Sequence, residues 1–409
     1  MKFDTIIIGG GLSGLTAGIE LSHRGQRCLI VSSGQSALHF FSGSLELLGR
    51  EDNPFQAMKS LHAGHPYSKI GVDKVRTVAS EVQPLFKEVG VDLKGDDELN
   101  HWRVTPLGAF KRAWKTMDEY VSVSPEGDIP WKKVCILDIN GFQDFNASYF
   151  AAGLAEIGVE FVLREISMPE FDRLRGNPTE MRSTNIAKTL SEDLIGNLAS
   201  RINEHTNDVD AVFMPAVVGL TGNSDVVKLK EAVDRPLQFL ATLPPSVPGI
   251  RLQMMLKKHF QKLGGVYMLG DTVTEGEIVD GKLNYIKTNN HGETEFYADN
   301  FIIASGSFFS KGLVSDFEGV REPVLGLDVD APAERTQWFG ENLFETQPYM
   351  TFGVITDDEF HAMKGGNPVR NLYAVGSLLG GCNSVKEGSG AGVAVITALY
   401  VSELILSHI

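Results

Sequence analysis

The feature that most constrains the fold is the glycine triplet Gly9-x-Gly11-x-x-Gly14 near the start of the chain. A short apolar run, residues 5–8, comes before it, and a predicted helix of small and apolar residues follows. In such a strand–turn–helix unit, the first glycine allows the tight turn, the second lets a phosphate approach the backbone, and the third lets the helix pack closely on the sheet. The free N–H groups at the helix N-terminus favour an anion. The triplet therefore predicts a phosphate-binding turn, with a glycine-rich turn that binds nothing as the alternative.

A second predicted strand, residues 27–31, follows one βαβ unit later and ends in Ser32-Ser33-Gly34. Dinucleotide-binding proteins usually place an Asp or Glu at this point, where it binds the ribose 2′-hydroxyl of the adenosine. The chain has serine there instead. The sequence thus predicts a phosphate cradle without a visible clamp for an adenosine ribose.

Composition excludes several classes of protein. The chain has 409 residues and a net charge of −15, and this acidic balance argues against nucleic acid as a partner. Cys28, Cys135 and Cys382 are scattered, with neither a disulfide framework nor a metal-ligand spacing, so we expect buried thiols and no metal site. We also expect no signal peptide and no run of membrane-spanning length. A cytoplasmic protein is predicted, with peripheral attachment to a membrane through a partner left open.

The loop after the second strand is rich in hydroxyl residues. In doubly wound folds, loops at the carboxyl ends of strands face the ligand, so Ser36, His39, Ser42 and Ser44 are candidates to line the crevice. The competing interpretation is that Ser42 or Ser44 caps the following Leu-rich helix. A lone histidine such as His39 is more often structural than catalytic.

The rest of the chain predicts a nucleotide-binding domain with a large insertion. Residues 51–245 contain no phosphate motif, and we predict that they form an inserted α+β cap or substrate domain. A Pro-rich linker at 243–249 then returns the chain to the nucleotide-binding domain. A helix, a three-stranded meander and a strand closing on Ser305-Gly306 follow. The last strand ends at Gly376-Ser377, and a glycine cluster at 388–392 opens the final helix. The predicted segments are 1–50, 246–325 and 351–409 for the nucleotide-binding domain, with 51–245 and a return at 326–350 for the cap.

Three separated stretches, 9–14, 298–306 and 372–392, together resemble the two-part nucleotide-binding domain of flavoprotein oxidoreductases. Several longer runs of sequence resemble one particular family among these flavoproteins. The runs at 34–40 (GQSALHF), 65–68 (HPYS), 103–108 (RVTPLG), 243–247 (LPPSV), 249–253 (GIRLQ), 304–310 (ASGSFFS) and 321–328 (REPVLGLD) resemble the B subunit of the anaerobic glycerol-3-phosphate dehydrogenases. The resemblance runs nearly end to end.

That resemblance implies a Rossmann-like α/β flavin-binding domain, βαβ plus β-meander, interrupted by the inserted domain. In this family, a catalytic, FAD-containing subunit oxidises sn-glycerol 3-phosphate to dihydroxyacetone phosphate. An iron–sulfur subunit holds the complex on the inner membrane. The B subunit is assigned FMN, and electrons go to quinone and on to fumarate or nitrate. FMN lacks an adenosine, which fits the missing acid after Val31. FAD remains the alternative cofactor, although Ser377 stands where FAD-binding relatives have Asp.

The candidate residues follow from the motifs and the resemblance together. The cofactor-binding candidates are Gly9, Gly11, Leu12, Ser13, Gly14, Ser32, Ser33, Ser36, Ala37, Ser42, Gly43, Ser305, Gly306, Gly376, Ser377, Gly388, Gly390, Ala391 and Gly392. If the chain also handles the substrate, His39 is the candidate base. Arg103, Arg251 and Arg321 are then candidate phosphate ligands, because a guanidinium can bind phosphate through two parallel hydrogen bonds. Pairing of these arginines with local acids is the alternative.

Three functions stay open at this point. The first is a flavin subunit that relays electrons between a catalytic and an iron–sulfur partner. The second is a self-sufficient FAD-dependent dehydrogenase of a small acidic substrate. The third is a scaffold that has kept the fold and lost the flavin. The sequence shows no convincing acid–base pair, which favours the relay.

Overall fold

The computed structural model describes residues 2–190 and 192–408. The strands in this part of the chain are β1 (Lys2–Ile8), β2 (Cys28–Ser32), β3 (Ser44–Leu45), β4 (Leu93–Lys94), β5 (His101–Val104), β6 (Phe110–Ala113), β7 (Lys115–Met117), β8 (Ser122–Val123), β9 (Lys133–Ile139), β10 (Glu160–Ile166), β11 (Ala211–Pro215), β12 (Leu237–Leu240), β13 (Val266–Leu269), β14 (Val273–Val279), β15 (Lys282–Thr288), β16 (Phe296–Ile303), β17 (Val314–Ser315), β18 (Val320–Arg321), β19 (Val329–Asp330), β20 (Gly353–Val354), β21 (His361–Lys364) and β22 (Asn367–Ala374).

The helices are α1 (Leu12–His23), α2 (Pro54–Met58), α3 (Pro66–Ile70), α4 (Val72–Ala79), α5 (Val82–Val89), α6 (Ala147–Glu156), α7 (Asp172–Arg175), α8 (Ser183–Thr189), α9 (Glu192–His205), α10 (Ser224–Ala232), α11 (Val247–Lys262), α12 (Ser384–Glu387) and α13 (Gly390–Ser407). Two compact units share these elements. The first comprises the residues up to 37, residues 46–84 and the residues from 256 onward, and the second comprises 38–45 and 85–255.

The first unit is built on an eight-stranded sheet. Its main path runs β13-β2-β1-β16-β15-β14, and β22 pairs with β16 while β21 pairs with β22. Strands β13, β2, β1, β16 and β22 are parallel, whereas β14, β15 and the start of β16 form the antiparallel meander. Ile6 and Ile7 of β1 and all of β2 are buried, as expected for parallel strands covered on both faces. The predicted Rossmann-like α/β fold is confirmed.

The second unit is built on a parallel sheet. Strands β10-β9-β11-β12 form a four-stranded sheet in which every pair is parallel. The prediction was an α+β region. Helix α6 lies between β9 and β10 in the chain, and two parallel strands need such a crossover. Small antiparallel sheets, β3-β7-β4 and β6-β5-β8, complete the unit.

The boundaries of the two units also differ from the predicted segments. Residues 46–84 and 326–350 belong to the first unit, although the sequence predicted that all of 51–84 and 326–350 lie in the cap. A local reason is visible: Gly49 N–H donates to the carbonyl of Glu387 at 2.9 Å, and Gly392 N–H donates to the carbonyl of Glu46 at 2.9 Å. The role of the second unit as a cap or substrate domain stays a prediction.

Helix α13 is long and apolar enough to cross a membrane by length and composition, which the sequence analysis did not foresee. About 61 % of it is buried inside the protein. The Thr397 hydroxyl on this helix accepts the N–H of Gly376 at 2.9 Å, which ties the helix to the end of β22. We therefore interpret α13 as a core helix of the first unit.

Candidate functional site

The first part of the site is the turn between β1 and α1. Gly9 has a φ of +118°, and a Cβ added to it would lie 2.2 Å from the Ala304 carbonyl oxygen. A Cβ on Gly14 would lie 1.9 Å from the Gly9 carbonyl oxygen. By contrast, a Cβ on Gly11 would meet nothing closer than Ser36 Cβ at 3.7 Å. Gly9 and Gly14 are thus needed for packing, whereas Gly11 leaves room for a ligand against the backbone.

The N-terminus of α1 is suited to bind an anion. Gly11 is its N-cap residue, no side chain of the described residues caps the helix, and its first turn carries no acid. The first-turn N–H groups of a helix lack intrahelical partners, and the helix dipole adds positive potential at that end. Leu12 and Ser13 contribute the first of these N–H groups. The turn can therefore hold a phosphate without any basic side chain.

Two other strand ends meet the start of α1. Ala304 N–H donates to the Ile8 carbonyl at 2.8 Å, so the end of β16 lies beside the end of β1. A Cβ on Gly376 would lie 2.1 Å from Ser13 Oγ, which places the end of β22 against the first turn of α1. A Cβ on Gly306 would lie 3.6 Å from Ser377 Oγ. The three glycine turns singled out in the sequence are thus brought together in the first unit.

The hydroxyl of Ser305 is available to a polar group at this site. Its Oγ is buried and has no hydrogen-bond partner among the described residues. A buried polar atom without a partner costs free energy, so a hydrogen bond from Ser305 to a bound ligand or water would be favourable. With the uncapped helix and the open side of Gly11, this atom fits the ribityl phosphate chain of a flavin.

The glycine cluster at the start of α13 has two roles: it allows close packing, and it forms the first turn of the helix. Gly388 has a φ of +61° and ends α12, and Ser389 is the N-cap residue of α13 without a side-chain cap bond. A Cβ on Gly392 would lie 2.5 Å from the Tyr67 hydroxyl, and the Gly392 N–H is taken by Glu46. Gly392 thus allows close packing, and its N–H is engaged within the protein. Its role as a cofactor-binding candidate stays a prediction. Gly390 and Ala391 open the helix and keep their predicted role as cofactor-binding candidates.

The end of β2 is occupied by side chains rather than by an acid. A Cβ on Gly10 would lie 2.1 Å from the Tyr267 hydroxyl and 2.6 Å from Ser32 Oγ. Lys257 lies over the Tyr267 ring, with Nζ 4.9 Å from the ring centroid. Asp271 follows β13 in the chain, but its carboxylate already accepts hydrogen bonds from Thr272, Asn290 and His291. The structure therefore offers no evident carboxylate for an adenosine ribose here, within the described residues.

A buried cluster that the sequence analysis missed lies just before α13. The Glu387 carboxylate accepts hydrogen bonds from His65 Nε2 at 3.1 Å, Cys382 Sγ at 3.4 Å and Ser389 Oγ at 3.3 Å, and it pairs with Arg50 at 3.4 Å. Burial alone would raise the pKa of the Glu387 carboxyl, but the hydrogen bonds that it accepts, first of all from His65, bring the pKa below the ordinary value. Burial raises the pKa of the Cys382 thiol to about 12, so that thiol is unreactive.

His65, Cys382 and Glu387 place their ligand atoms within 4.8 Å of one another, close enough for a metal ion. The histidine argues against one. His65 Nδ1 accepts the backbone N–H of Tyr67 at 3.0 Å, so the ring proton of the neutral imidazole is on Nε2. An N–H at Nε2 donates to Glu387 and has no lone pair for a metal. We interpret the cluster as a hydrogen-bonded clamp on Glu387.

A cavity of about 270 Å³ also lies in the first unit. Gly380, Gly381, His62, Lys69 and Thr356 are among its lining residues. Two of its polar side chains are engaged within the protein: Lys69 Nζ donates to Thr356 at 2.7 and 2.9 Å, and His62 Nε2 contacts the Gly381 carbonyl at 2.8 Å. The cavity therefore carries no evident ligand specificity.

The predicted catalytic residues His39 and Arg251 lie in the second unit. Burial lowers the pKa of His39, although a hydrogen bond with Gln253 opposes the shift. Arg251 is completely buried, paired with the Glu119 carboxylate, and donates to the carbonyls of Val218 and Gly219 at 3.0 and 3.2 Å. This arrangement favours the alternative in which the arginine pairs with a local acid.

Arg103 and Arg321 differ in exposure. Arg321 is exposed and paired with Asp316 in the β17–β18 hairpin of the first unit. Arg103 is buried in the second unit, and its charge acts on the Tyr120 phenol. The roles of Arg103 and Arg321 in substrate binding stay predictions.

The remaining candidates divide between the units. Ser36 lies under Gly11, with Ala37 next to it, in the first unit. Ser32 Oγ donates to the Gly34 carbonyl at 3.4 Å, and Ser33 stands between them. Ser42 and Gly43 belong to the second unit, where a Cβ on Gly43 would lie 2.6 Å from the Tyr120 ring. Their contact with a flavin stays a prediction.

The comparisons with known proteins agree with this geometry. The FAD binding domain family matches residues 4–393. Curated relatives named as the B subunit of anaerobic glycerol-3-phosphate dehydrogenase cover this chain completely and are matched over 99 % of their own length. They are 42 % identical in Yersinia enterocolitica, and 40 % in Yersinia pestis and Pectobacterium carotovorum. The chain belongs to this B-subunit family. It is therefore a flavoprotein of the oxidoreductase class, and the resemblance found in the sequence is confirmed.

Proposed function

We propose that this chain is the FMN-carrying subunit of an anaerobic, quinone-linked glycerol-3-phosphate dehydrogenase. A separate catalytic, FAD-containing subunit would oxidise glycerol 3-phosphate to dihydroxyacetone phosphate. This chain would pass the electrons to an iron–sulfur subunit, and from there they would reach quinone and then fumarate or nitrate. The chain would lie in the cytoplasm, attached to the inner membrane through the iron–sulfur subunit.

The observation that carries the proposal is the meeting of three strand ends on an uncapped helix N-terminus. The α1 N–H groups would bind the flavin phosphate, because Gly11 lets it approach the backbone. Ser305 Oγ, buried without a partner among the described residues, would donate to the ribityl chain, with Ser377 near it. A flavin bound there supplies electron transfer, and the protein supplies its position and its electrostatic surroundings.

Two features support FMN over FAD. The chain has Ser32 and Ser33 where a ribose-binding acid would stand, and the Tyr267 ring lies beside Gly10 at the same edge of the sheet. FMN ends at its phosphate and has no adenosine. It therefore needs neither a ribose-binding acid nor space for an adenosine at this edge of the sheet. The family description that matches the chain names FAD, so chemical identification of the flavin is required.

A relay is favoured over substrate oxidation by the partners of the arginines. Arg251 and Arg321 each pair with a carboxylate of the same unit, which leaves their charge largely compensated. A site for a phosphorylated substrate needs uncompensated cations and a positioned base. His39 alone supplies only the base.

The first experiment is an absorption spectrum of the freshly purified chain, followed by acid release and chromatography of the flavin. We expect FMN at about one per chain. FAD would contradict the argument from Ser32 and favour a self-sufficient dehydrogenase. A colourless chain that takes up no flavin on reconstitution would favour a scaffold.

A second measurement tests the relay. We expect the isolated chain to show no turnover of glycerol 3-phosphate with an artificial electron acceptor, and the assembled complex to show it. Turnover by the isolated chain would contradict the relay and assign the oxidation to this chain.

A further inference from the structure

The segment 307–350 of the first unit exposes an unusual number of large apolar side chains. Phe317 is 91 % exposed, Phe344 93 % and Leu343 81 %, and Phe339 and Tyr349 are also exposed. We call these five residues the aromatic patch. Single exposed apolar residues are ordinary, but several within one surface region indicate a binding surface.

Contacts within the segment bring Phe317, Trp338 and Tyr349 close together. The Arg335 guanidinium lies 5.2 Å from the centroid of the Phe317 ring and 5.5 Å from that of Trp338. Tyr349 N–H donates to the Trp338 carbonyl at 2.9 Å. Residues 317, 335–339 and 349 are therefore neighbours in space, although they are spread along most of the segment.

The segment is held in this conformation by its own hydrogen bonds. Trp338 Nε1 donates to the Pro332 carbonyl at 2.7 Å. Gly340 N–H donates to Gln347 Oε1 at 3.0 Å, and Gln347 Nε2 donates to the Asn342 carbonyl at 2.9 Å. A preorganised surface loses little conformational entropy on binding, which favours a specific partner.

The charged residues of segment 307–350 indicate which kind of partner the aromatic patch would bind. Between residues 307 and 350 the chain has eight carboxylates and three basic side chains. Arg321 is paired with Asp316 and Arg335 lies over aromatic rings, whereas Glu318, Glu334, Glu341 and Glu345 are exposed around the patch. An anionic lipid surface would be repelled. A protein with an apolar recess surrounded by basic residues would be attracted.

We infer that the aromatic patch is the surface on which this chain docks a second, basic-rimmed subunit of the enzyme. The inference rests on the proposed function, because that function requires at least two partner subunits. The aromatic side chains would fill the partner's recess, and the glutamates would face its basic rim. Aromatic anchors at the centre of an interface usually carry most of its binding free energy.

The test uses the full-length chain co-expressed with the proposed catalytic and iron–sulfur subunits, and measures assembly by size-exclusion chromatography and sedimentation. The patch variant is the double substitution Phe317→Ser with Phe344→Ser. The matched control is Leu107→Ser with Leu269→Ser, which removes two exposed apolar side chains far from the patch in sequence. We expect the patch variant to bind the other subunits at least about 30-fold more weakly, as for two anchor residues, and the control to bind normally.

A second variant tests the charge argument. The substitutions Glu341→Lys and Glu345→Lys should slow association, and raised salt should slow wild-type association too, because both weaken long-range attraction. Normal assembly of the patch variant would overturn the inference. So would wild-type self-association that the patch variant abolishes, because the patch would then bind a second copy of this chain.

Flavin content separates this inference from the proposed function. Wild-type protein that assembles through the patch but has no flavin contradicts the FMN relay and leaves the docking surface standing. Patch variants that keep their flavin and still assemble contradict the docking surface and leave the relay standing.

Discussion

At the scale of single residues, the two glycines of the first turn have separable roles. Gly9 has a positive φ, and a Cβ there would collide with the Ala304 carbonyl, whereas the same atom on Gly11 would make only an ordinary contact with Ser36 Cβ at 3.7 Å. We expect Gly9→Ala to destabilise the protein by several kcal/mol, about 1–3 from backbone strain alone. We expect Gly11→Ala to fold normally and to lose flavin affinity.

Thermal unfolding and flavin titration of both variants check this prediction. A Gly11→Ala protein that binds flavin as tightly as the wild type would show that no phosphate approaches this backbone. A Gly9→Ala protein of wild-type stability would contradict the geometry of the turn.

A second prediction concerns the buried carboxylate of Glu387. Glu387→Gln replaces a group that accepts from His65, Cys382 and Ser389 by an amide with two donors of its own, so we expect a loss of about 1–3 kcal/mol. The matched control is Glu403→Gln, whose exposed carboxylate pairs with Lys74. We expect the control to change stability by less than about 1 kcal/mol.

The effect of Glu387→Gln on the free energy of unfolding should depend on pH. Because the pKa of Glu387 is lowered in the folded protein, its ionised form stabilises the fold above the unfolded pKa, about 4.3. That contribution is lost as the pH falls through the folded pKa. The stability difference between wild type and Glu387→Gln should therefore be full at about pH 6–8 and shrink below about pH 4. A pH-independent difference would mean that shape, and not charge, is responsible.

Arg251 gives the third prediction at this scale. Arg251→Met leaves the Glu119 carboxylate buried without its cation and two carbonyls without their donor, so we expect a loss of about 3–5 kcal/mol. Arg321→Met removes an exposed pair with Asp316 and should cost about 0–1 kcal/mol. Denaturant unfolding of the two variants measures both values. If the Arg251→Met and Arg321→Met variants are equally stable, the buried pair with Glu119 contributes little, and Arg251 is again a candidate for substrate binding.

At the scale of elements, the α1 N-terminus is the part of the site that the sequence predicted best. The triplet at 9–14, the end of β16 at Ser305-Gly306 and the end of β22 at Gly376-Ser377 were each found from a local pattern of strand, glycine and helix. Their meeting follows from sheet order, because the carboxyl ends of parallel strands share one edge. The local sequence patterns and this general rule of sheet topology were together sufficient to predict that these three turns lie close to one another.

Other elements could not be predicted so well, for reasons that differ. His65 and Glu387 lie 322 positions apart, and neither has a local signal. Helices α8 and α9 follow each other closely but are separate, because the Leu190 backbone leaves the helical region at the end of α8. The adjacent Ser191 lies outside the described residues. The parallel sheet of the second unit did have a signal, since β9, α6 and β10 follow one another as strand, helix and strand.

The phosphate cradle of α1 gives the prediction at this scale. FMN carries the phosphate that the α1 N–H groups would bind, and riboflavin lacks it, so FMN should raise the melting temperature of the flavin-free chain far more than riboflavin does. A ligand at about 100 times its Kd stabilises by about 2.7 kcal/mol. Equal effects of the two ligands, measured by differential scanning fluorimetry, would place the phosphate outside the cradle.

At the scale of the whole molecule, the two compact units should respond differently to flavin. All the described strand ends and helix termini of the proposed site lie in the first unit, so bound FMN should stabilise that unit. Trp102, Trp114 and Trp131 lie in the second unit and Trp338 in the first. In a Trp338→Phe variant, tryptophan fluorescence therefore reports unfolding of the second unit alone, whereas far-ultraviolet circular dichroism reports both.

We expect FMN to raise the melting temperature seen by circular dichroism in this variant and to leave the fluorescence transition nearly unchanged. This result would mean that each unit unfolds on its own and that the cofactor belongs to the first. If both signals shift together by the same amount, either the units unfold as one cooperative body or the flavin also binds groups of the second unit. Ser42, Gly43 and His39 are the residues to substitute in that case, because they are the second unit's candidates for contact with the flavin. A Ser42→Ala variant that separates the two transitions again would identify the contact.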